Sequence, residues 1–339
     1  MNSAIIVNPA WSNGDQAAPR LIDADISEPV AGLHDLIVEV KAVAVNPVDL
    51  KMMRARLPPG GQRVVGWDAS GVVRAVGELV EGFQIGDEVY YAGSVMRDGC
   101  FSMLHSVDSR LVGHKPRSLD FAESAALPMS SLVSWEALFD RMGLHRSSEA
   151  VASDVLVYGA AGGVGTVAVQ MAARIAKARV IATASRAESA EHCKRQGAQF
   201  VIDHSKPLVD QLAKLGITSV PRILCLVDPA ELIERLGEIV SPFGVICCLA
   251  DSSKPIAVNS LRSKSVSFAW EGMFTRSIFK TPDMASQASI LEAVAGYVDK
   301  GILRSPVASR VTGINAANLL EQYQRLESGR MIGKLVLER

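Results

Sequence analysis

The sequence predicts an α/β protein in which a β-rich region is followed by a doubly wound parallel sheet. Its 339 residues suggest about two domains at roughly 150 residues per domain. Short β segments broken by Pro, Gly and Asp fill residues 1–125, whereas strands alternate with helices from Asp154 onward. A hydrophobic fraction of 48% allows a sizeable core.

The first region has the short, interrupted strands that are typical of antiparallel barrels and meanders. From Asp120 the pattern becomes helical. We expect strands at Ala4–Val7, Leu36–Val45, Gly71–Val76, Glu88–Ala92 and Arg110–Gly113, and helices at Ala122–Ala126 and Val133–Met142.

The second region has strands of continuous apolar character, as in the segments VLVY, ILCLV and VICCLA. Such strands are covered on both faces and belong to a parallel sheet made of βαβ units. The predicted strands are Asp154–Tyr158, Arg179–Ala184, Gln199–Asp203, Arg222–Val227, Val245–Ala250 and Ser265–Trp270, and the helices between them are Thr166–Lys177, Glu188–Gln196, Val209–Leu215 and Ala230–Val240. The last predicted elements are a helix at Ala285–Lys300, a strand at Val307–Val311, a helix at Ala316–Ser328 and a strand at Lys334–Glu338.

Composition excludes several classes of protein. A formal net charge of −1 gives no support for a nucleic-acid partner or an anionic membrane surface. No apolar stretch reaches the roughly 20 residues needed to span a bilayer, and no basic segment precedes the short apolar run at the N-terminus. The five cysteines form no C-x-x-C pair, which argues against a disulfide framework or a Cys-rich zinc site. We expect a cytoplasmic protein.

A glycine-rich turn lies between the strand at Asp154–Tyr158 and the following helix. Gly159, Gly162 and Gly165 have the spacing G-x-x-G-x-x-G. Missing Cβ atoms let the backbone turn sharply and approach a pyrophosphate, and the helix N-terminus attracts its charge. The sequence therefore predicts a dinucleotide site, although the same glycines could serve a tight turn without a ligand. The predicted cofactor-binding residues of this turn are Gly159, Ala161, Gly162, Gly163, Val164 and Gly165.

The end of the next strand indicates which dinucleotide binds. NAD sites usually carry an acidic residue about 20 residues after the turn, for the ribose 2′-hydroxyl. Here the strand ends in Ser185 and Arg186. A hydroxyl and a guanidinium would hold a 2′-phosphate, which a carboxylate would repel. These residues favour NADPH, the alternative being that Arg186 is an ordinary exposed residue that opens a helix.

Together these stretches resemble the medium-chain dehydrogenase/reductase superfamily, and within it the zinc-independent branch similar to quinone oxidoreductases. The segments that carry the resemblance are VNPVDLK (45–51), GWDASGVVRAVG (66–77), FQIGDEVYY (83–91), AALPMSSLVSWEALF (125–139) and GKLVL (333–337). WEGMFTR (270–276) is similar to the subgroup often labelled zinc-type alcohol dehydrogenase-like.

The resemblance implies a GroES-like β-rich catalytic domain, residues 1–125 and 280–339, and a Rossmann NADPH-binding domain, residues 126–279. It also implies an active site in the cleft between them, NADPH-dependent hydride transfer and a homodimer. The strand at Ser265–Trp270 contains no Pro or charge, so as an edge strand it could pair with a second copy.

The departures from the family pattern concern the metal. In zinc alcohol dehydrogenases a metal-binding Cys stands at Asn46 and a metal-binding His at Trp67. A tetrahedral catalytic zinc needs about three protein ligands, so we expect no metal site. Asp68 stands where zinc enzymes carry Glu, and is interpreted as a structural hydrogen-bonding residue. A Tyr that some enoyl reductases use as a proton donor is replaced by Arg56 or Leu57.

A further departure affects the cofactor site. Val133 stands where the branch usually has a Thr, whose hydroxyl can reach the nicotinamide ribose or carboxamide. Ser130, Ser131 and Ser134 are candidates to replace that hydroxyl, and Ser134 is our predicted cofactor contact. Lys334, in the GKLVL ending, is also predicted to bind the cofactor.

The candidate catalytic residues are polar groups of the first region. Asn46 is predicted to contact the nicotinamide or the substrate carbonyl, unless it is only a turn residue. Asp49 and Lys51 would orient substrate or cofactor, unless they form a surface pair. Tyr91, or its neighbour Tyr90, would line the cleft and donate a proton, unless it is a core or interface tyrosine.

Without zinc, alcohol oxidation lacks its Lewis acid. A quinone or an α,β-unsaturated carbonyl is electron-poor enough to accept hydride when the protein supplies orientation and a dry cleft. The predicted function is therefore NADPH-dependent reduction of a small quinone or enone. Two alternatives stay open: a residual alcohol or aldehyde dehydrogenase, and an NADPH-binding protein without catalysis, like lens crystallins derived from this branch.

Overall fold

The computed structural model describes residues 1–14, 17–18, 20–55, 62–144 and 153–339. The chain forms two compact units, which we name the β unit and the α/β unit. The β unit comprises Met1–Met129, Phe274–Gly301 and Ser305–Arg339, and the α/β unit comprises Ser130–Met273 and Ile302–Arg304. Arg56 and Leu57 lie outside the described residues.

The first stretch of the chain contains two strands that the sequence did not predict, Leu21–Ile26 (β2) and Leu104–Asp108 (β6). In β2 only Leu21 is buried, and in β6 buried residues alternate with partly exposed ones, so neither has a continuous apolar run. The predicted strand at Arg110–Gly113 was wrong in its first half, because Ser109–Leu111 forms a 3₁₀ turn. The elements are β1 (Asn2–Val7), α1 (Pro9–Ser12), β2 (Leu21–Ile26), β3 (Asp35–Ala44), α2 (Pro47–Arg54), β4 (Ala69–Val76), β5 (Glu88–Tyr91), β6 (Leu104–Asp108), β7 (Val112–His114) and α3 (Phe121–Ala125).

The later elements follow the predicted alternation of strands and helices. The predicted helix at Val133–Met142 begins earlier, at Pro128, and its second half is a π-helical segment, Glu136–Arg141. The elements are α4 (Pro128–Trp135), β8 (Asp154–Tyr158), α5 (Gly163–Arg174), β9 (Arg179–Thr183), α6 (Ala187–Gln196), β10 (Phe200–Ile202), α7 (Leu208–Lys214), β11 (Val220–Cys225), α8 (Ile233–Ile239), β12 (Val240–Cys248), β13 (Ser267–Trp270), α9 (Thr275–Phe279), α10 (Ser286–Asp299), β14 (Val307–Thr312), α11 (Ala316–Glu327) and β15 (Lys334–Glu338).

The α/β unit is built on a parallel sheet, as predicted. Among the described residues its strands lie in the order β10-β9-β8-β11-β12-β13, and every neighbouring pair is parallel. Tyr158 at the end of β8, Cys225 at the end of β11 and Cys248 at the end of β12 lie in one register row. The carboxyl ends of the central strands therefore meet at one edge of the sheet, where ligands bind in open α/β sheets.

The β unit contains a mostly antiparallel sheet, in keeping with a GroES-like domain. Within the described part of the chain the strand order is β14-β15-β3-β4-β5-β7, and β6 also pairs with β3. The late strand β15 pairs antiparallel with β3, which places Lys334 beside the early segments of the chain. No helix among the described residues is long and apolar enough to cross a membrane.

Candidate active site

The glycine turn joins β8 to α5, and two of its glycines are required by geometry. Gly159 has φ +81°, in the left-handed region that favours glycine. A Cβ on Gly165 would lie 2.4 Å from the carbonyl oxygen of Ala160, so only glycine lets the helix approach the strand this closely. A Cβ on Gly162 would meet nothing within 4 Å, which leaves open space beside the turn.

The start of α5 has the features of an anion site. Gly162 is the N-cap residue, and no side chain caps the helix. The first amides of a helix lack partners within it, and its dipole favours a negative group at this end. The open space at Gly162 lies at the same place. Residues 159–165 therefore have a geometry that suits the phosphates of a dinucleotide, and their binding of a cofactor stays a prediction.

The predicted 2′-phosphate residues and Ser134 lie in the same unit as this turn. Ser185 and Arg186 are exposed, and Arg186 precedes α6 as its N-cap residue. Ser134 is buried, and its hydroxyl donates a hydrogen bond to the carbonyl of Val164 at 3.2 Å. Ser134 thus contacts the turn itself, and its role as a cofactor contact stays a prediction.

Four buried polar side chains of the β unit form a second group, which we name the Lys334 cluster: Asn46, Asp49, Asp68 and Lys334. The Lys334 ammonium donates to Asp68 Oδ2 at 2.6 Å and to Asn46 Oδ1 at 2.5 Å. Asn46 Nδ2 donates to Asp68 Oδ2 at 2.9 Å, and the Asn46 backbone N–H donates to Asp49 Oδ2 at 2.7 Å. The other Asp68 oxygen accepts from the backbone N–H of Met129 at 2.8 Å. Asp68 is therefore held by three donors.

The charges of the Lys334 cluster determine its protonation. Two carboxylates lie with one ammonium, and Asp49 and Asp68 are both fully buried. Burial raises the pKa of Asp49 to about 8, against the opposing effects of the Asn46 N–H and the Lys334 charge. Asp49 Oδ1 has no hydrogen-bond partner among the described residues, so no donor at that oxygen offsets the cost of burying a charge. Burial also raises the pKa of Asp68, against the opposing effects of the Lys334 charge, Asn46 and the Met129 N–H. Lys334 and Asp68 form the ion pair of the cluster.

The residues at the family's zinc position do not fit a catalytic zinc. The Trp67 indole Nε1 donates to the carbonyl of Ser94 at 3.0 Å and offers no lone pair to a metal. Asp68 already binds the Lys334 ammonium, a competing cation. In the parts of the chain that the structure describes, no group of three or more His, Cys, Asp or Glu could hold a metal ion.

The structure separates Asp49 from Lys51. Both lie on α2, but Asp49 is buried, whereas Lys51 is exposed. The interpretation of the two as a surface pair is therefore wrong for Asp49. Residues two apart on a helix do not face each other, which explains the difference.

Tyr91 is engaged in a buried pair that the sequence did not indicate. Its hydroxyl lies 3.0 Å from Nδ1 of His105, whose Nε2 lies 3.0 Å from the carbonyl of Asp98. Because a carbonyl only accepts, Nε2 carries the proton and Nδ1 accepts from the tyrosine. Burial lowers the pKa of His105 to about 4 and raises that of Tyr91 well above its usual range. Tyr90 is buried too, and donates to the carbonyl of Leu291. This arrangement favours a structural role for both tyrosines.

Other polar groups at these sites were not predicted from the sequence. Thr183 accepts from the N–H of Gly159, and His192 contacts the Thr166 hydroxyl. The only sequence signal for either is its position, at the end of a predicted strand or in the next helix. Tyr323 is buried, and its hydroxyl has no partner among the described residues.

Comparison with known proteins identifies the family. Residues 32–136 match the alcohol dehydrogenase GroES-like domain, and residues 196–337 match the zinc-binding dehydrogenase family. A zinc-type alcohol dehydrogenase-like protein of Staphylococcus aureus is 35% identical over 311 residues, which are 91% of this chain and 92% of that protein. The 2-methylene-furan-3-one reductase of Solanum lycopersicum is 25% identical, with 97% of this chain and 78% of that protein covered.

Solved structures have the same fold. A protein of Rhizobium etli CFN 42, provisionally named a zinc-dependent alcohol dehydrogenase, superposes with a TM-score of 0.93 at 42% identity and covers 100% of this chain and 98% of that one. The Escherichia coli quinone oxidoreductase, solved with NADPH, has a TM-score of 0.78 at 22% identity over 94% of this chain and 96% of that one. The chain belongs to the medium-chain dehydrogenase/reductase superfamily of oxidoreductases.

Proposed function

We propose that this chain is a zinc-independent, NADPH-dependent oxidoreductase that transfers hydride to a quinone or an α,β-unsaturated carbonyl. The observation that carries the proposal is the Lys334 cluster, together with Trp67, at the family's zinc position. These groups supply no Lewis acid to polarise a plain ketone or to lower the pKa of an alcohol. A quinone or an enone is already electron-poor and has least need of a Lewis acid to accept hydride.

The glycine turn and the segment after β9 support NADPH as the cofactor. Residues 159–165 offer uncapped amides and open space for the pyrophosphate. Ser185 and Arg186 are exposed at the start of α6 and carry no negative charge, which favours a 2′-phosphate over a free hydroxyl. A bound NADPH would supply the hydride. The enone-reducing relative from Solanum lycopersicum supports the acceptor class.

The chain's own groups then orient the acceptor and handle its proton. Lys51, exposed on α2, is our candidate for orienting an anionic or carbonyl group. Asn46 is almost fully buried, and both ends of its amide are bonded within the Lys334 cluster. Both Nδ2 hydrogens donate, to Asp68 and to the Ala44 carbonyl, so only the second lone pair of Oδ1 is left. That lone pair would accept from an N–H such as that of the nicotinamide carboxamide, and not from a substrate carbonyl. Asp49 and Tyr91 are enclosed, so we assign the proton to water.

The test is a steady-state NADPH-oxidation assay over quinones, conjugated enals and simple aldehydes, with alcohols and NADP⁺ for the reverse reaction. Quinones or enals should be reduced, simple alcohols should stay near background, and a chelator should not lower the rate. Alcohol oxidation that rises with added zinc would replace the proposal with a dehydrogenase. Tight NADPH binding without turnover of any acceptor would indicate a binding protein.

We also propose a homodimer through β13. Among the described strands β13 pairs with β12 alone, and its Trp270 is 46% exposed. An apolar edge of this kind can be covered by a two-fold partner that extends the sheet. Sedimentation at micromolar concentration should give a dimer, which Trp270→Lys should weaken. A monomeric wild-type chain would contradict this.

A further inference from the structure

Two side-chain contacts tie the glycine turn to the segment formed by β9 and α6. The first is at Thr183, the last residue of β9, which is buried. Its Oγ1 accepts a hydrogen bond from the backbone N–H of Gly159 at 3.0 Å, and its carbonyl accepts from the N–H of Ala160 at 3.4 Å. Gly159 has a positive φ, so the Thr183 hydroxyl holds the residue at which the chain turns.

The second contact begins at Thr166, the residue that follows the last glycine of the turn. Its buried Oγ1 lies 2.8 Å from Nε2 of His192 on α6, and 3.5 Å from the carbonyl oxygen of Ala161 in the turn. The hydroxyl can donate to the Ala161 carbonyl while it accepts from a protonated Nε2 of His192. Thr166 therefore bridges α6 and the turn on the side of the helix start.

Both contacts come from the segment that carries the candidate 2′-phosphate residues. Ser185 and Arg186 lie in the chain between Thr183 and His192. In the proposed function the turn would bind the part of a dinucleotide that NADPH and NADH share, whereas Ser185 and Arg186 would bind the part that differs. Fixing one segment to the other fixes the spacing between these two subsites.

We propose that Thr183 and the Thr166–His192 pair are positioning residues that clamp the glycine turn to the β9–α6 segment, so that the pyrophosphate and 2′-phosphate subsites are preorganised together. The inference rests on the proposed function, because it requires a nicotinamide dinucleotide at the turn. None of these three side chains needs to touch the cofactor. Preorganisation raises affinity by removing the cost of ordering the site when the ligand binds.

The clamp and the specificity residue predict different patterns of loss. Loss of one neutral hydrogen bond should weaken binding about 3- to 10-fold. Because the turn serves the shared part of both cofactors, loss of the clamp should weaken NADPH and NADH alike. Loss of Arg186 should weaken NADPH alone.

The experiment is fluorescence titration of NADPH and NADH with wild type and paired variants of the full chain. Thr183→Val and Thr166→Val keep the shape and remove the hydroxyl, whereas Thr183→Ser and Thr166→Ser keep the hydroxyl and remove a methyl group. The Val variants and His192→Leu should lose about 3- to 10-fold for both cofactors, and the Ser variants should stay close to wild type. Thr312→Val, an exposed change on β14, is the control.

A purely structural packing role predicts the reverse order, since Ser leaves a small cavity and Val does not. Ser variants that bind as weakly as Val variants, or Val variants that bind like wild type, would overturn the clamp while the proposed function stands. A wild-type chain that binds neither dinucleotide would overturn both. Thermal unfolding of each variant identifies any loss of cofactor binding that comes from misfolding. If a variant at one threonine misfolds, the Val and Ser variants at the other threonine test the clamp on their own.

Discussion

Replacing Lys334 by Met tests the Lys334 cluster most directly. Methionine fills much of the space of the lysine stem but removes the ammonium. Lys334 is only 4% exposed, and its partner Asp68 is fully buried, so solvent cannot replace the lost charge. Asp68 would keep the donors from Asn46 and Met129 but lose its counter-ion.

The size of the effect follows from this burial. Removing one partner of a buried ion pair costs about 3–5 kcal/mol, because the other charge remains uncompensated. The Asn46 carbonyl also loses its donor, but this loss is coupled to the first and is not added to it. We therefore expect Lys334→Met to lower the free energy of unfolding by about 3–5 kcal/mol.

The assay is urea unfolding followed by intrinsic fluorescence, with Asp68→Asn and the double variant completing a mutant cycle. Because the double variant leaves no unpaired charge, it should be more stable than Lys334→Met alone. A Lys334→Met chain within about 1 kcal/mol of wild type, the range of an exposed pair, would refute the ion pair. Equal losses in the single and double variants would show that packing by the lysine stem, not charge, is what matters.

Three further predictions concern titration and cofactor choice. Folded Asp49, with a pKa of about 8, keeps a proton that the unfolded chain loses near pH 4, so its contribution to stability should be lost as the pH rises from about 4 to 8. Asp49→Asn should reduce this dependence of stability on pH, measured by thermal unfolding at several pH values. An unchanged pH dependence would contradict the prediction. His105, with its pKa lowered to about 4, should act in the opposite sense, contributing stability above pH 6.5 that is lost as the pH falls toward 4. His105→Gln should reduce this loss of stability at low pH, which thermal unfolding over the same pH series would measure. Arg186→Ala should weaken NADPH roughly 10- to 150-fold, as expected for a charge-assisted contact, and leave NADH unchanged; equal losses in titrations of both would remove its specificity role.

The parallel sheet could be predicted because its strands have continuous apolar runs bounded by turns. The strands that were missed, β2 and β6, have the sequences LIDADI and LHSVD, in which polar residues alternate with apolar ones. Their pairing with β1 and β3 makes them strands. Tertiary contacts of this kind override weak local preference.

The glycine turn and the Lys334 cluster also differ in how far the sequence could predict them. The glycine turn was predictable because its strand, turn and helix are consecutive in the sequence. The Lys334 cluster was not, since Asp68 and Lys334 are 266 positions apart, and no local pattern indicates their pairing. Asn46, Asp49 and Lys334 were each singled out by family pattern, but only the folded chain shows that they share one buried network.

The placement of β15 has a consequence for how the polypeptide acquires its structure during synthesis. β15 lies between β14 and β3 and carries Lys334, yet a ribosome makes it after all the other strands that the structure describes. The α/β unit takes all its strands from one uninterrupted stretch, so it can fold while translation continues. The β unit contains both the earliest and the latest strands to be synthesised. Until β15 has been made, β3 lacks one neighbouring strand and Asp68 lacks Lys334. We therefore expect the middle of the growing chain to fold before its beginning.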